Sequence, residues 1–309
     1  MNNAVVDETF AEAFPMRATR IVVTAIDEDL VRIAAAEFCG NASSVIGCDA
    51  EAGVERFLEP SQTIDGRPGV SILAFAFDRE SLESAVTARV GQNILTCPTT
   101  ACYSGLTAER RKDRIKIGSQ LRFFGDGFQI SKKFENQRFW RVPVMDGEFL
   151  CEDVAGTVKG IGGGNLLVCG RSQHETLAAV RAAVRAIDDL SDVILPFPAG
   201  IVRSGSKVGS KYKALKASTN DAWCPSLVGQ TATELQEGEQ AVYEIVIDGL
   251  STQAVATAMK VGLETVRSMP GVLRISAGNY GGKLGPHHFH LHQLDDPNCG
   301  VPDSSKDSA

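Results

Sequence analysis

Three features common in other protein classes are missing from this 309-residue sequence. No run approaches the roughly 20 apolar residues of a membrane-spanning helix, so no transmembrane helix is expected. None of the eight cysteines forms a C-x-x-C pair, and in a long chain without an export pattern this favours reduced, unpaired thiols. Basic residues are also in deficit, 31 against 38 acidic residues for a net charge of −7. That balance argues against sequence-independent nucleic-acid binding, which needs a basic surface to neutralise phosphates.

The N-terminal residues do not follow the pattern of an export signal. Asp7, Glu8 and Glu12 precede any apolar run, whereas a signal peptide begins with basic residues followed by an apolar segment. We therefore expect a cytoplasmic protein.

Helix and strand patterns occur in two similar series along the chain. The first series predicts strands at 20–26, from 43, and at 70–77, with helices ending near Gly40 and Ile94. The second predicts strands at 165–169, 192–196, 241–247 and 272–277, with helices at 172–190 and 251–269. The repetition favours an α+β fold of two similar lobes, each a ferredoxin-like split β-α-β two-layer sandwich. We expect lobes at 1–144 and 145–294 and a poorly ordered tail at 295–309.

The glycine-rich segments fail the tests for nucleotide binding. Gly200 and Gly205 have the glycine separation of a P-loop, but Ser206 stands where the lysine is required. The segment 160–165 ends in Asn165 and precedes its strand, whereas the dinucleotide fingerprint follows one. No G-x-S-x-G segment marks a serine nucleophile, and no motif singles out a catalytic cysteine, although a lone thiol stays open as an alternative.

A histidine-rich run raises the question of a metal site. His288, His290 and His292 alternate along one expected strand and would share a face, at a spacing that zinc could use. A polar strand face is the simpler interpretation, since no companion cysteine or carboxylate cluster has ligand spacing. We expect no metal.

Glu244 is the most informative single residue. Strand alternation sends Tyr243, Ile245 and Ile247 to one face and leaves Glu244 between Val242 and Val246 on the other. A carboxyl group in that setting would be partly desolvated, which raises its pKa and makes it a candidate general acid or hydrogen-bond donor. The alternative is a solvent-facing glutamate on a two-layer sheet.

Long segments in both halves of the chain carry a family resemblance. It rests on DGRPGV (65–70), RVGQ (89–92), FFGDG (123–127), GIVRSGSKVGSKY (200–212), ASTNDAWCP (217–225), YEIVI (243–247) and ISAGNYGGKLG (275–285). These segments resemble formylmethanofuran:tetrahydromethanopterin formyltransferases from about residue 7 to residue 292. Ala199, Trp223 and the longer C-terminus look more like the bacterial, methylotroph version than the archaeal one, in which Gly and Tyr are usual at the first two positions.

The resemblance implies a reversible, cofactor-free transfer of a formyl group between methanofuran and N5 of tetrahydromethanopterin, in the oxidation of formaldehyde to formate. It also implies two similar lobes, self-association into dimers or tetramers, and a place as a subunit of a formyltransferase/hydrolase complex. No nucleic-acid or membrane partner is implied. Similar proteins place a functional glutamate in the YEIVI strand, which here is Glu244.

The same resemblance suggests where the anionic carriers bind. Five cations lie within residues 203–216, and a solvated loop is the ordinary interpretation of such a run. Because both carriers are expected to bear carboxylates and often phosphate, a basic loop would attract them. The expected binding residues are Arg203, Ser206, Lys207, Ser210, Asn220, Asn279 and Lys283. The backbone amides of residues 278–282 are further candidates for binding a developing oxyanion.

Two other functions deserve comparison with the enzyme. A non-catalytic scaffold subunit would bind the carriers without transfer, but the glutamate and both glycine-rich segments are retained. An RNA-binding sheet would need stacking aromatics and a basic face, and neither pattern occurs.

Overall fold

The computed structural model describes residues 3–108 and 110–302. Its strands are β1 (Val5–Val6), β2 (Phe10–Thr24), β3 (Glu51–Leu58), β4 (Gly69–Ala76), β5 (Ala101–Ser104), β6 (Arg114–Lys116), β7 (Ile130–Phe134), β8 (Gln137–Val144), β9 (Gly147–Glu152), β10 (Val154–Gly170), β11 (Val193–Ile194), β12 (Lys207–Val208), β13 (Ala217–Ser218), β14 (Ala241–Gly249), β15 (Val272–Ser276) and β16 (His287–His290). Its α-helices are α1 (Glu28–Cys39), α2 (Arg79–Arg89), α3 (Gly118–Leu121), α4 (Gln173–Asp188) and α5 (Thr252–Arg267).

The chain forms two compact units of mixed helix and strand. The N-terminal unit comprises residues 16–160, and the C-terminal unit comprises 161 onward together with residues up to 15. The lobe boundary expected after residue 144 stays a prediction, because the contacts divide the chain elsewhere and join its first residues to the C-terminal unit.

In the N-terminal unit the strands follow the order β3-β4-β2-β5-β9-β8-β7. The part of β2 after residue 16 pairs antiparallel with β4 on one side and with β5 on the other, while β9 adds to β5 in parallel. Helices α1 and α2 cover one face of the sheet, where Phe38 and Leu82 join the buried strand residue Ile72. Burying this single apolar core is what stabilises the unit.

The C-terminal unit repeats this arrangement with a second set of strands. Antiparallel pairing gives the order β11-β14-β10-β15, and β1 pairs in parallel with β15 at the edge. Helices α4 and α5 pack on one face, and Gly262 lets them approach because a Cβ there would lie 3.0 Å from both Ile187 and Leu166. The opposite face of this sheet carries the polar residues discussed below.

Side-chain caps explain where the helices begin. Asp27, Asp78, Ser172 and Ser251 each accept a hydrogen bond from a backbone N–H in the first turn of α1, α2, α4 and α5. Such caps satisfy donors that have no partner inside the helix. The helix starts expected at 172 and 251 are therefore confirmed.

Two strand predictions gave the wrong boundaries. The strand expected from Ser43 begins only at Glu51, after a series of turns. β10 runs over 17 residues instead of five because its glycines are accommodated by a bulge between Ile161 and Gly164, where Gly163 has φ +93°. The segment 142–149 is a hairpin in which Val142 pairs with Phe149 inside the N-terminal unit.

Two further expectations concern membrane-spanning helices and the C-terminal tail. Within residues 3–108 and 110–302, no helix has the length and apolar character needed to cross a membrane. In the expected tail, residues 295–302 form turns around the buried Cys299, and Gly300 N–H donates to the carbonyl of His288 at 3.1 Å. Residues 303–309 lie outside the described residues.

Candidate active site

Glu244 lies in the middle of a hydrogen-bonded sheet. On one side its partner in β10 is Leu167; on the other it exchanges two backbone hydrogen bonds with Val202, of 2.8 and 3.0 Å. Residues opposite one another in antiparallel strands point to the same face. Leu167 and Val202, both buried, therefore flank the Glu244 side chain across the sheet.

The alternation expected for β14 is confirmed. Ile245 and Ile247 are fully buried in the core under α4 and α5, while Val242, Glu244 and Val246 are only partly buried on the other face. Glu244 thus points away from the helices, with apolar neighbours along its own strand and across both adjacent segments.

This setting changes the acidity of the carboxyl group. Burial raises the pKa of Glu244 to about 7, from an ordinary value of 4.5. Within the described residues, no hydrogen bond or ion pair to its carboxyl group offsets that effect. Because the side chain keeps partial access to solvent, a ligand can reach it. A large fraction of Glu244 is therefore a neutral acid near pH 7, as a general acid or hydrogen-bond donor requires.

Tyr280 approaches Glu244 from the glycine-rich loop that follows β15. Its pKa is raised by burial and by the charge of Glu244, and the neighbouring Ser206 side chain opposes part of that rise. The phenol is 36 % exposed, so it too is open to a ligand. Three hydroxyl or carboxyl groups, from Glu244, Ser206 and Tyr280, thus meet on this face.

The loop 278–285 is held by a buried carboxylate, Glu12. Its Oε2 accepts hydrogen bonds from the N–H groups of Tyr280 (2.6 Å) and Gly282 (2.9 Å). Its Oε1 accepts from Leu284 and Gly285, both at 2.6 Å. Burial opposes ionisation of Glu12, but these four bonds outweigh it and lower its pKa.

Four of the five backbone amides in 278–282, which the sequence suggested as oxyanion donors, already have partners within the protein. Tyr280 and Gly282 donate to Glu12, Gly278 donates to Asn165 Oδ1 at 2.6 Å, and Gly281 donates to Asn279 Oδ1 at 3.0 Å. Side chains are therefore better placed than these four amides to donate to the substrate.

The cationic run 203–216 includes strand β12, ends just before its hairpin partner β13, and is exposed. Lys207 already forms an ion pair with Asp221. Arg203, Lys211, Lys213 and Lys216 are exposed and have no ion pair with any residue the structure describes. Arg203 also lines, with Arg181 and Val202, a cleft of about 400 Å³ next to the Glu244 strand.

The other expected binding residues separate into two groups. Ser206 and the exposed Lys283 lie on segments that reach the Glu244 face. Asn279 instead acts as a structural tie, donating to Thr9 Oγ1 and the Phe10 carbonyl at 3.1 Å each. Ser210 accepts from the Tyr212 N–H at 3.1 Å, and the Asn220 carbonyl accepts from the Trp223 N–H at 3.0 Å, so both also shape the loop.

The histidine run does not form a metal cage in the part of the chain that is described. His288 and His290 flank the ring of Phe10, with centroids 4.8 and 5.2 Å away. His288 Nε2 also bonds the Gly285 carbonyl at 3.0 Å, which supports the loop.

Cys39 and Cys169 are poorly suited to nucleophilic catalysis. All eight are free, and burial raises the pKa of Cys39 and of Cys169 to about 12. A thiol in that range stays protonated at neutral pH and is a weak nucleophile.

Sequence reasoning missed Glu12 and Tyr280. Glu12 sits between Ala11 and Ala13, and a lone glutamate in such an apolar segment signals a buried carboxylate that needs donors. Tyr280, the only aromatic residue in ISAGNYGGKLG, had no comparable signal, because its proximity to Glu244 depends on the loop conformation.

Comparisons with known proteins cover nearly the whole chain. The family model described as formylmethanofuran-tetrahydromethanopterin formyltransferase matches residues 1–144, and its proximal-lobe model matches residues 147–294. The formylmethanofuran–tetrahydromethanopterin formyltransferase of Methylococcus capsulatus is 54 % identical, over 95 % of this chain and 99 % of the relative.

Two solved structures are similar to the chain. The formyltransferase from Methanosarcina barkeri is 45 % identical with a TM-score of 0.89, covering 95 % of this chain and 99 % of its own. A chain in the formyltransferase/hydrolase complex from Methylorubrum extorquens, solved with methylofuran, is 48 % identical with a TM-score of 0.90. That match covers 94 % of this chain and 96 % of the other.

Proposed function

Because the chain belongs to the formylmethanofuran–tetrahydromethanopterin formyltransferase family, we propose that Glu244 is the acid of its formyl-transfer reaction. The chain is an enzyme of one-carbon metabolism that transfers a formyl group between methanofuran and tetrahydromethanopterin. The observation that carries the role of Glu244 is its isolated carboxyl group on an apolar part of the sheet, with a pKa of about 7.

The reaction itself defines what the site must supply. N5 of the pterin attacks the formyl carbon, and a C–N bond forms as the carbonyl electrons move onto oxygen. The tetrahedral adduct then collapses, the bond to the donor nitrogen breaks, and that nitrogen gains a proton while N5 loses one. The neutral acid of Glu244 can donate a hydrogen bond to the adduct oxygen or give its proton to the leaving nitrogen and recover one from N5.

The basic segment supports binding of the carriers. Arg203, Lys207 and Lys283 would attract their carboxylate and phosphate groups, and Ser206, Ser210, Asn220 and Asn279 would shape or complete that surface. Four of the five cations of 203–216 carry no ion pair within the described residues, so their charge is available.

The remaining features follow from the family and the strand pairing. We propose two ferredoxin-like split β-α-β lobes, divided after residue 144; the orders β5-β2-β4-β3 and β15-β10-β14-β11 support the repeat. The chain works without a resident metal or other cofactor and self-associates. In the cytoplasm it is a subunit of a formyltransferase/hydrolase complex like that of Methylorubrum extorquens, away from membranes and nucleic acid. Formyl groups would flow there from tetrahydromethanopterin to methanofuran and then to formate.

Formyl exchange by the purified chain tests the proposal. Wild type should move the formyl group between the two carriers in both directions, with activity retained after chelation. The Glu244→Ala variant should be folded and should transfer far more slowly. An inactive, folded and correctly assembled wild type would instead indicate the carrier-binding scaffold.

A further inference from the structure

The loop 278–285 carries the partly exposed Tyr280 side chain, and its backbone is held in place by two buried residues. Asn165 holds its start, accepting from the Gly278 N–H at 2.6 Å and donating to the Gly278 carbonyl at 3.2 Å. Glu12 holds the rest through four backbone bonds, and its own N–H donates to the Gly278 carbonyl at 3.2 Å. Asn165 and Glu12 are buried, whereas Tyr280 is exposed.

The sheet register places the start of this loop on the same face as Glu244, with strand β10 between them. Ser276 pairs with Leu167, and Leu167 pairs with Glu244, so the three form one row across the sheet. Asn165 is two residues from Leu167 and faces the same side, in the next row. Its hold on Gly278 therefore begins the loop one row from the Glu244 carboxyl group.

A second segment reaches the same place from the opposite edge. Val202 is the backbone partner of Glu244, and Ser206, four residues later, neighbours the Tyr280 phenol. The phenol thus interacts with the side chains of Glu244 and Ser206, on two segments that the Val202–Glu244 backbone pair joins.

We propose that the Tyr280 hydroxyl is a second hydrogen-bond donor to the formyl oxygen, and that Glu12 is the positioning residue that holds it beside Glu244. This inference rests on the proposed role of Glu244. The Tyr280 hydroxyl keeps its proton throughout, so bonds and charges in the transfer step are those already described. Burial and the nearby Glu244 keep the phenol protonated at neutral pH, as a donor requires.

Two arguments favour a side-chain donor here. The backbone amides of residues 278 and 280–282 are already used by Asn165, Glu12 and Asn279. A single neutral acid at Glu244 cannot both hydrogen-bond to the adduct oxygen and deliver its proton to the leaving nitrogen. A phenol next to it separates the two tasks.

The first test is Tyr280→Phe, which removes one hydroxyl from a partly exposed ring and should leave folding intact. We expect kcat to fall by about 10²-fold with KM nearly unchanged, as for loss of one donor made only in the transition state. The matched control is Tyr103→Phe, which removes a tyrosine hydroxyl that donates to Asp65 in the N-terminal unit and should keep wild-type kcat.

The second test is Glu12→Gln, an isosteric change. An amide NH₂ group would face two of the four loop N–H groups, so two hydrogen bonds are lost and the loop shifts. We expect a kcat loss similar to that of Tyr280→Phe. The double variant should have a kcat little lower than that of either single variant, because one change removes the Tyr280 hydroxyl and the other displaces it. Glu55→Gln in the N-terminal unit removes another buried, bonded carboxylate and should lower Tm without lowering kcat.

The outcomes separate this inference from the role of Glu244. Wild-type kcat in Tyr280→Phe, with Glu244→Ala impaired, overturns the donor role of Tyr280 and leaves the proposed function standing. If the fold-decrease in kcat of the double variant equals the product of the two single decreases, Glu12 and Tyr280 act independently, and the positioning role of Glu12 is overturned. If Glu12→Gln does not fold, Asn165→Ala loosens the same loop at Gly278 and takes its place in the double-variant comparison. Should Glu244→Ala also transfer at the wild-type rate, the proposed function itself is wrong.

Discussion

At the scale of single residues, one carboxyl group decides how the reaction proceeds. Glu244→Ala should lower kcat by about 10²–10³-fold with little change in KM or Tm, the usual effect of removing one acid or oxyanion donor. Glu244→Gln keeps a donor but cannot release a proton. If Glu244→Gln retains activity, the role of Glu244 is hydrogen bonding; if it loses as much kcat as Glu244→Ala, the role is proton transfer.

The control is Glu237→Gln, which changes an exposed glutamate in the same unit. Wild-type rates in both Glu244 variants would contradict the assignment.

The raised pKa of Glu244 also predicts a pH dependence. Since the neutral form is the active one, kcat should be constant well below pH 7 and fall as pH rises through about 7. If Gln is active, its rate should lack this fall. A wild-type kcat that stays flat through pH 8 would contradict the protonated-acid role.

Stability should follow the same titration. The folded-state pKa lies above the ordinary value of 4.5, so this group's contribution is fully present below pH 4.5 and is lost as pH rises through about 7. Glu244→Gln removes that loss. Its Tm relative to wild type should therefore increase between pH 4.5 and 7 and then level off, as measured by calorimetry. If the Tm difference between Glu244→Gln and wild type is the same at pH 4.5 and at pH 7, the Glu244 carboxyl group is not desolvated.

At the scale of elements, the hairpin β12–β13 and its flanking cations are expected to bind the carriers. Lys207→Ala should raise KM with kcat nearly unchanged, and more at low salt, because it removes one cation and leaves Asp221 uncompensated. Lys260→Ala on α5 provides the control, since Lys260 also pairs with an aspartate, Asp295, but far along the chain from the hairpin. Equal KM values for Lys207→Ala and wild type at every ionic strength would exclude this role.

Helices and strands were predicted well where local chemistry decides them. The caps Asp27, Asp78, Ser172 and Ser251 mark helix starts because their side chains satisfy N–H groups only a few residues away. Strands β7 to β9 were not predicted. Strand β7 is largely exposed and polar and gives no alternating apolar pattern. Strands β8 and β9 do bury alternate residues such as Val142 and Phe149, but a short turn joins them, and the sequence did not separate them into two strands.

At the scale of the whole molecule, the chain is expected to self-associate. The N-terminal unit exposes several large apolar side chains in one stretch of sequence: Phe123, Phe124, Phe128, Ile130 and Phe134, each 57–78 % exposed. Apolar surface of this kind usually marks an interface. Light scattering on the isolated chain should give the mass of a dimer or larger assembly, and a fully active monomer would refute the prediction.

The sequence by itself determined the family, the repeated order of helices and strands, and the placement of Glu244 on the face of β14 that points away from the core residues Ile245 and Ile247. Each of these depends on neighbours in sequence or on alternation along one strand. The tertiary structure alone decided what surrounds Glu244. Leu167, Val202, Tyr280 and Glu12 come from distant parts of the chain, and their approach depends on β-sheet register and on a loop shaped by four hydrogen bonds. Contacts between such distant residues leave no periodic trace in a sequence, so the acidity of Glu244 and the donors beside it emerge only when the sheet is assembled.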